Sequence, residues 1–102
     1  MLDLSALLAS VEGFEWDEGN TAKNVLGHDV MRGEAEEIFF VAPLVLVEDE
    51  KHSATEQRFL IFGPTGAGRL LTAAFTIRGH RVRIISVRDM SRQERSRYAK
   101  AR

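Results

Sequence analysis

The apolar positions of this chain change period near residue 44. Before it, Leu4, Leu7, Leu8 and Val11 form a stripe at helical spacing, with Asp3 or Ser5 placed to cap it. Phe14 and Trp16 then alternate with Glu15 and Asp17, the pattern of a brief strand. A polar helix is predicted over 21–27 with Asn20 as its cap. Another is predicted over 34–40, ending ahead of Pro43 because the residue before a proline avoids the helical region. From residue 44 the runs 44–49, 57–63, 69–78 and 81–88 are rich in β-branched and aromatic residues. Pro64 to Gly68 separates the second run from the third, and Gly79-His80, the length of a tight hairpin, separates the third from the fourth. Parallel crossovers need about a dozen residues or more, so these strands are expected to be mostly antiparallel. A last helix is predicted over 91–101, with Ser91 and Glu94 at capping-box spacing. The expected fold class is α+β: N-terminal helices packed on a four-stranded antiparallel sheet, a fifth strand near Phe14 as the alternative, and a basic C-terminal helix.

The chain's 102 residues suit one domain with a modest core, and 44% hydrophobic content argues against disorder. It has no cysteine, which excludes disulfides, zinc–thiolate sites and thiol nucleophiles. The first residues lack a basic stretch, and Asp3, Ser5 and Ser10 interrupt their apolar positions, so no signal peptide is read there. No segment is long enough to span a bilayer. The expected address is the cytoplasm.

Charge changes the picture more than composition does. Residues 1–57 hold thirteen acidic and three basic side chains, and residues 58–102 hold two acidic and eleven basic ones, so a net charge of -1 conceals two opposed halves. From residue 58 on, arginine outnumbers lysine ten to one. Guanidinium forks suit bidentate contacts to phosphate and stacking on bases, so the basic half is the footprint of a polyanion such as RNA or DNA. The competing explanation is that these arginines pair with the acidic half. Strict alternation places Arg81 and Arg83 on one face of their strand and Arg88 on the other with Val82 and Ile84. On the last helix Ser91, Arg95 and Tyr98 lie along one stripe.

Other motifs carry less. Gly63 to Leu70 begins like a phosphate-binding loop, but Arg69 and Leu70 stand where the lysine and hydroxyl belong, and the next residues read as a strand. A hairpin turn is expected instead. Glu48 to His52, with His28 and Asp29, offers oxygen and nitrogen donors, yet no ligand spacing is matched, and a charged strand end is the simpler reading. The aromatic residues Phe14, Trp16, Phe39, Phe40, Phe59, Phe62 and Phe75 read as core.

In order, FEWDEGN, KN and His28, EAEEIFF, PLVLVEDEKHS, EQRFLIFG, GRLLTAAFT, RIISVRDMS, and Glu94-Arg95 with Arg97-Tyr98 resemble the BrnT family of type II toxin–antitoxin toxins. The resemblance runs from Phe14 to Tyr98, leaving residues 1–13 as an extension to a single domain. It implies a RelE-like ribonuclease fold, RNA cleavage without metal or cofactor, and inhibition of translation. It also implies a BrnA-like ribbon–helix–helix antitoxin in a 2:2 complex, which represses the shared operon, so that DNA is met only through the antitoxin. At two positions where relatives commonly carry lysine, this chain has Asn20 and Gly27.

Metal-free cleavage can use the ribose 2′-OH as nucleophile, with a base, an acid and cations supplied by the protein. His28 and His52 are the acid/base candidates, with Lys23 behind them. Arg58, Arg69, Arg83 and Arg88 are candidates for the phosphate clamp, and Arg81, Arg92, Arg95 and Tyr98 for RNA contacts. The rival expectation is a non-catalytic module that docks an antitoxin or the ribosome through the same basic face. A DNA reader is weaker still, since no helix-turn-helix or zinc-finger pattern is present.

Overall fold

The computed structural model describes residues 4–22, 29–52 and 55–101, the side chains of residues 4, 5 and 52 excepted. Among the described residues three helices flank one five-stranded sheet: α1 (Leu4–Ala9), β1 (Gly13–Phe14), α2 (Arg32–Glu37), β2 (Val45–Glu48), a 3-10 turn (Glu50–His52), β3 (Phe59–Pro64), β4 (Leu70–Arg78), β5 (Arg81–Asp89) and α3 (Arg92–Ala101). Strand order is β1-β5-β4-β3-β2. The four strands from β2 onward pair antiparallel as expected. The sheet is nonetheless mixed, because β1 lies parallel to β5. A residue pair this far back in the chain reaches the sheet through the intervening helical half, so the short-connection rule that fixes the hairpins does not govern it.

Local chemistry explains the turns. Gly79 (φ 53) and His80 (φ 68) both adopt the left-handed region that a two-residue hairpin requires. The Gly63–Leu70 segment is a hairpin turn: the Thr65 and Arg69 backbones pair, Gly68 takes φ 89, and Gly66 N–H donates to Glu37. Ser91 and Glu94 complete the capping box of α3, each side chain accepting the other's N–H. The helix expected over 34–40 ends earlier, at Glu37. The polar helix expected over 21–27 falls mainly on residues outside those described.

One face of the sheet is buried. Phe59, Ile61, Leu71, Ala73, Phe75, Val82, Ile84 and Val87 meet Ala35, Ile38 and Phe39 from α2 and its C-terminal turn. Phe39 stands edge-on to Phe75, ring centroids 5.0 Å apart. Gly63 permits this approach, since a Cβ there would lie 3.2 Å from the Ile38 carbonyl. Leu7, Leu8, Val11, Phe14 and Trp16 close one side of the core. Phe40 departs from the core assignment: it is 76% exposed, because the chain turns after Glu37 and only one of two adjacent phenylalanines can point inward. α3 covers part of the opposite face, with Tyr98 buried and its hydroxyl donating to the Pro43 carbonyl. No described helix is long and apolar enough to cross a membrane.

Candidate functional site

The register of β4 and β5 decides where the arginines stand. Phe75 pairs with Ile84 but Ala74 pairs with Ser86, so Ile85 is an extra residue in β5. A bulge of this kind reverses the parity of everything after it. Val87 therefore joins Val82 and Ile84 in the core, and Arg88 joins Arg81 and Arg83 on the other face. This corrects the strict-alternation placement of Arg88. The rungs of that face are Arg78–Arg81, Thr76–Arg83, Ala74–Ser86 and Thr72–Arg88. Ser86 is exposed between Arg83 and Arg88.

Asn20 braces the bulge. It is 2% exposed, and its amide nitrogen donates to the carbonyls of Glu15 (2.9 Å) and Ile84 (3.2 Å) while its oxygen accepts from Asp17 N–H (2.8 Å). It thus clips the loop after β1 to the residue that precedes the bulge.

The arginines of this face are not equivalent. Arg83, with a side chain only 15% exposed, is held by Asp17 (3.0 and 3.1 Å) and Glu15 (2.9 Å). The Arg83 hydrogen bonds are the main cause holding the Asp17 carboxyl below its ordinary value. Gly19 lies against the same guanidinium: a Cβ there would meet it at 2.8 Å. Arg78 forms a fork with Glu56 (2.6 and 3.0 Å). Arg88 forms a fork with Glu94 (2.6 and 2.9 Å), yet its side chain stays 50% exposed. Glu94 also accepts from Thr72 (3.2 Å) and from Ser91 N–H (2.9 Å). Arg88 chiefly, against a penalty from burial, brings the Glu94 carboxyl down to about 2. Arg81, Arg92 and Arg95 are exposed.

Not every candidate joins this face. Arg69 lies toward the α2 side, bound to Asp89 (2.7 and 2.9 Å) and to Glu34 at the start of α2 (3.3 Å). Arg58 immediately precedes β3 and is half-buried. Tyr98 is anchored beneath α3. His52 ends the 3-10 turn, with its side chain outside the described residues, and Lys23 and His28 lie outside them altogether. Among the described residues, no group of three or more His, Asp or Glu side chains is arranged to hold a metal ion. Sequence reasoning missed Ser86 and the second role of Glu94; a lone small polar residue in a strand and a capping-box glutamate give no signal of a neighbouring arginine.

One face of the sheet is thus buried, and the other carries Arg81, Arg83 and Arg88 around Ser86. The chain belongs to the BrnT family: the family described as "Ribonuclease toxin, BrnT, of type II toxin-antitoxin system" matches residues 16–94, well over half of it. No curated protein gives a significant match to the chain. Membership of a type II toxin–antitoxin family implies an RNA substrate and an antitoxin partner.

Proposed function

We propose that this protein is a metal-independent endoribonuclease that cuts RNA across the arginine face and thereby halts translation. The observation that carries the proposal is the bulge at Ile85, which gathers Arg81, Arg83 and Arg88 on one face around the exposed Ser86. Arg88 is the phosphate contact, because Glu94 fixes its plane while half of its side chain stays open to solvent. Arg83 is closed in by Glu15 and Asp17 and serves mainly to hold the loop after β1. Arg81, Arg92 and Arg95 draw the RNA backbone toward the face. Arg69 belongs to a separate ion-pair cluster beside α2.

In the reaction the ribose 2′-OH loses its proton to a base and its oxygen bonds to the adjacent phosphorus. The bond from phosphorus to the 5′-oxygen breaks, and that oxygen takes a proton from an acid, leaving a 2′,3′-cyclic phosphate and a 5′-hydroxyl. Guanidinium groups stabilise the charge that develops on phosphorus. His28, His52 and Lys23 are the groups proposed for proton transfer. The architecture is proposed to be RelE-like. The partner is proposed to be a BrnA-like ribbon–helix–helix antitoxin in a 2:2 complex that meets DNA on the toxin's behalf, in the cytoplasm.

Purified protein should shorten total RNA in the presence of EDTA. Arg88→Ala should slow that cleavage by about a hundredfold while remaining folded, the cost typical of a lost transition-state donor. A folded Arg88→Ala variant that cleaves at the wild-type rate refutes the assignment. One observation favours a second reading, a non-catalytic docking module: both Arg83 and Arg88 already have carboxylate partners within the chain. Under that reading RNA stays intact at any protein concentration.

A further inference from the structure

On the side of the sheet that bears the arginines, α3 leaves an apolar groove beside the edge strand β2. Val45, Val47, Leu60 and Phe62 line the sheet side and Arg97 and Tyr98 the helix side, with about 360 Å³ of space between them. β2 ends the sheet, so its outer edge pairs with no described strand. An edge of this kind accepts an added strand readily, and alternate side chains of the added strand enter whatever pockets lie along it. Val45 and Val47, two residues apart, stand on the groove side. Val47 is 39% exposed.

Charge narrows the occupant. α3 carries Arg92, Arg95, Arg97 and Lys100, all exposed, whereas its one carboxylate, Glu94, is bound to Arg88. Of these Arg97 lines the groove, beside Tyr98 and Ala101, and gives its helix wall a positive charge. A second copy is a poor fit, since two-fold pairing of β2 with itself keeps both α3 helices on the same sheet face and brings like charges together. RNA would use the cations but not the apolar floor.

We propose that this groove and the free edge of β2 receive an extended segment of the antitoxin, apolar at alternate positions and acidic where it passes Arg97 and Lys100. The proposal rests on the antitoxin partnership that the family implies. Glu94 both lines the groove and holds Arg88, so one side chain separates the occupant from that arginine.

The test is calorimetric titration of the purified protein with a BrnA-like ribbon–helix–helix antitoxin, alongside RNA cleavage and gel filtration. Val47→Asp, which buries an unpaired charge in the interface, should weaken binding about a hundredfold. Arg97→Glu should weaken it about tenfold, with a larger loss at low salt. Both side chains are exposed in the free protein, and RNA cleavage should be unchanged in both variants. Wild-type affinity in both variants overturns the proposal. A wild-type dimer that Val47→Asp disperses assigns the groove to a second copy and also overturns it. Slower cleavage by Val47→Asp gives the groove to RNA, with the same result. If the wild-type protein binds no antitoxin at all, the partnership itself fails and this proposal falls with it.

Discussion

Asn20 shows how one buried amide can hold two distant segments together. It satisfies the Asp17 N–H and the Glu15 and Ile84 carbonyls, so its removal leaves polar groups unpaired in the core. Asn20→Ala should cost about 2 kcal/mol, read from urea unfolding. Glu94 offers a second test. Its carboxyl is lowered from 4.5 to about 2, chiefly by Arg88, so the stability it contributes is complete above pH 4.5 and drains away as pH falls toward 2. Glu94→Gln should therefore flatten the loss of stability between about pH 4.5 and about pH 2, measured as urea midpoints against pH. Neither role could be read from sequence. Asn20 presented itself as the cap of a helix that falls mainly outside the described residues, and Glu94 as half of a capping box, which forms alongside its wider role.

Among the elements, β2 to β5 follow closely from local pattern, because alternation and turn chemistry act between neighbours. The Gly79-His80 hairpin forms as expected from two residues. The bulge does not announce itself: the run from Arg81 to Arg88 alternates acceptably until Ile84, Ile85 and Ser86, where one extra residue shifts Arg88 to the other face. The β1–β5 pairing is equally silent, since it joins segments remote in sequence. α2 ends before its apolar pattern does, and Phe40 is left in solvent as a result. Backbone conformation gives a contrast that can be measured. Gly79 needs φ 53 and a Cβ there meets nothing, so Gly79→Ala should lose about 1 kcal/mol through strain alone. Gly33 lies exposed within α2 with equally open space around it, so Gly33→Ala should gain about 0.5 to 1 kcal/mol. Thermal melting of the two variants should move in opposite directions.

Taken as one molecule, the two charged halves fold against each other. Arg69, Arg78 and Arg83 find Glu34, Glu56, Glu15 and Asp17, all in the acidic half, so internal pairing, the competing explanation of the arginine excess, accounts for much of it. Sequence composition shows that such pairing is available but cannot say which arginine it takes, because the choice depends on which strand face meets which loop. Arg81, Arg92 and Arg95 are exposed and carry the surplus. Glu15, Asp17, Glu34 and Glu56 are thereby held within the chain, and these four carboxylates are engaged before any basic partner arrives.

The ion pairs also bear on how RNA binding responds to salt. A phosphate that settles on a bare cation frees a condensed counterion, and single-stranded binding weakens with a log–log slope of roughly -0.7 per phosphate neutralised. Arg69, Arg83 and Arg88 already have carboxylates as their counterions, and these stay tethered when a phosphate arrives. Only Arg81, Arg92 and Arg95 then contribute, so the slope for a cleavage-resistant single-stranded RNA should be about -2, against about -4 if all six counted. Fluorescence titration across a range of potassium chloride concentrations measures it. At a slope of about -2, tenfold more salt weakens this toxin's hold on its substrate about a hundredfold, against about ten-thousandfold at -4.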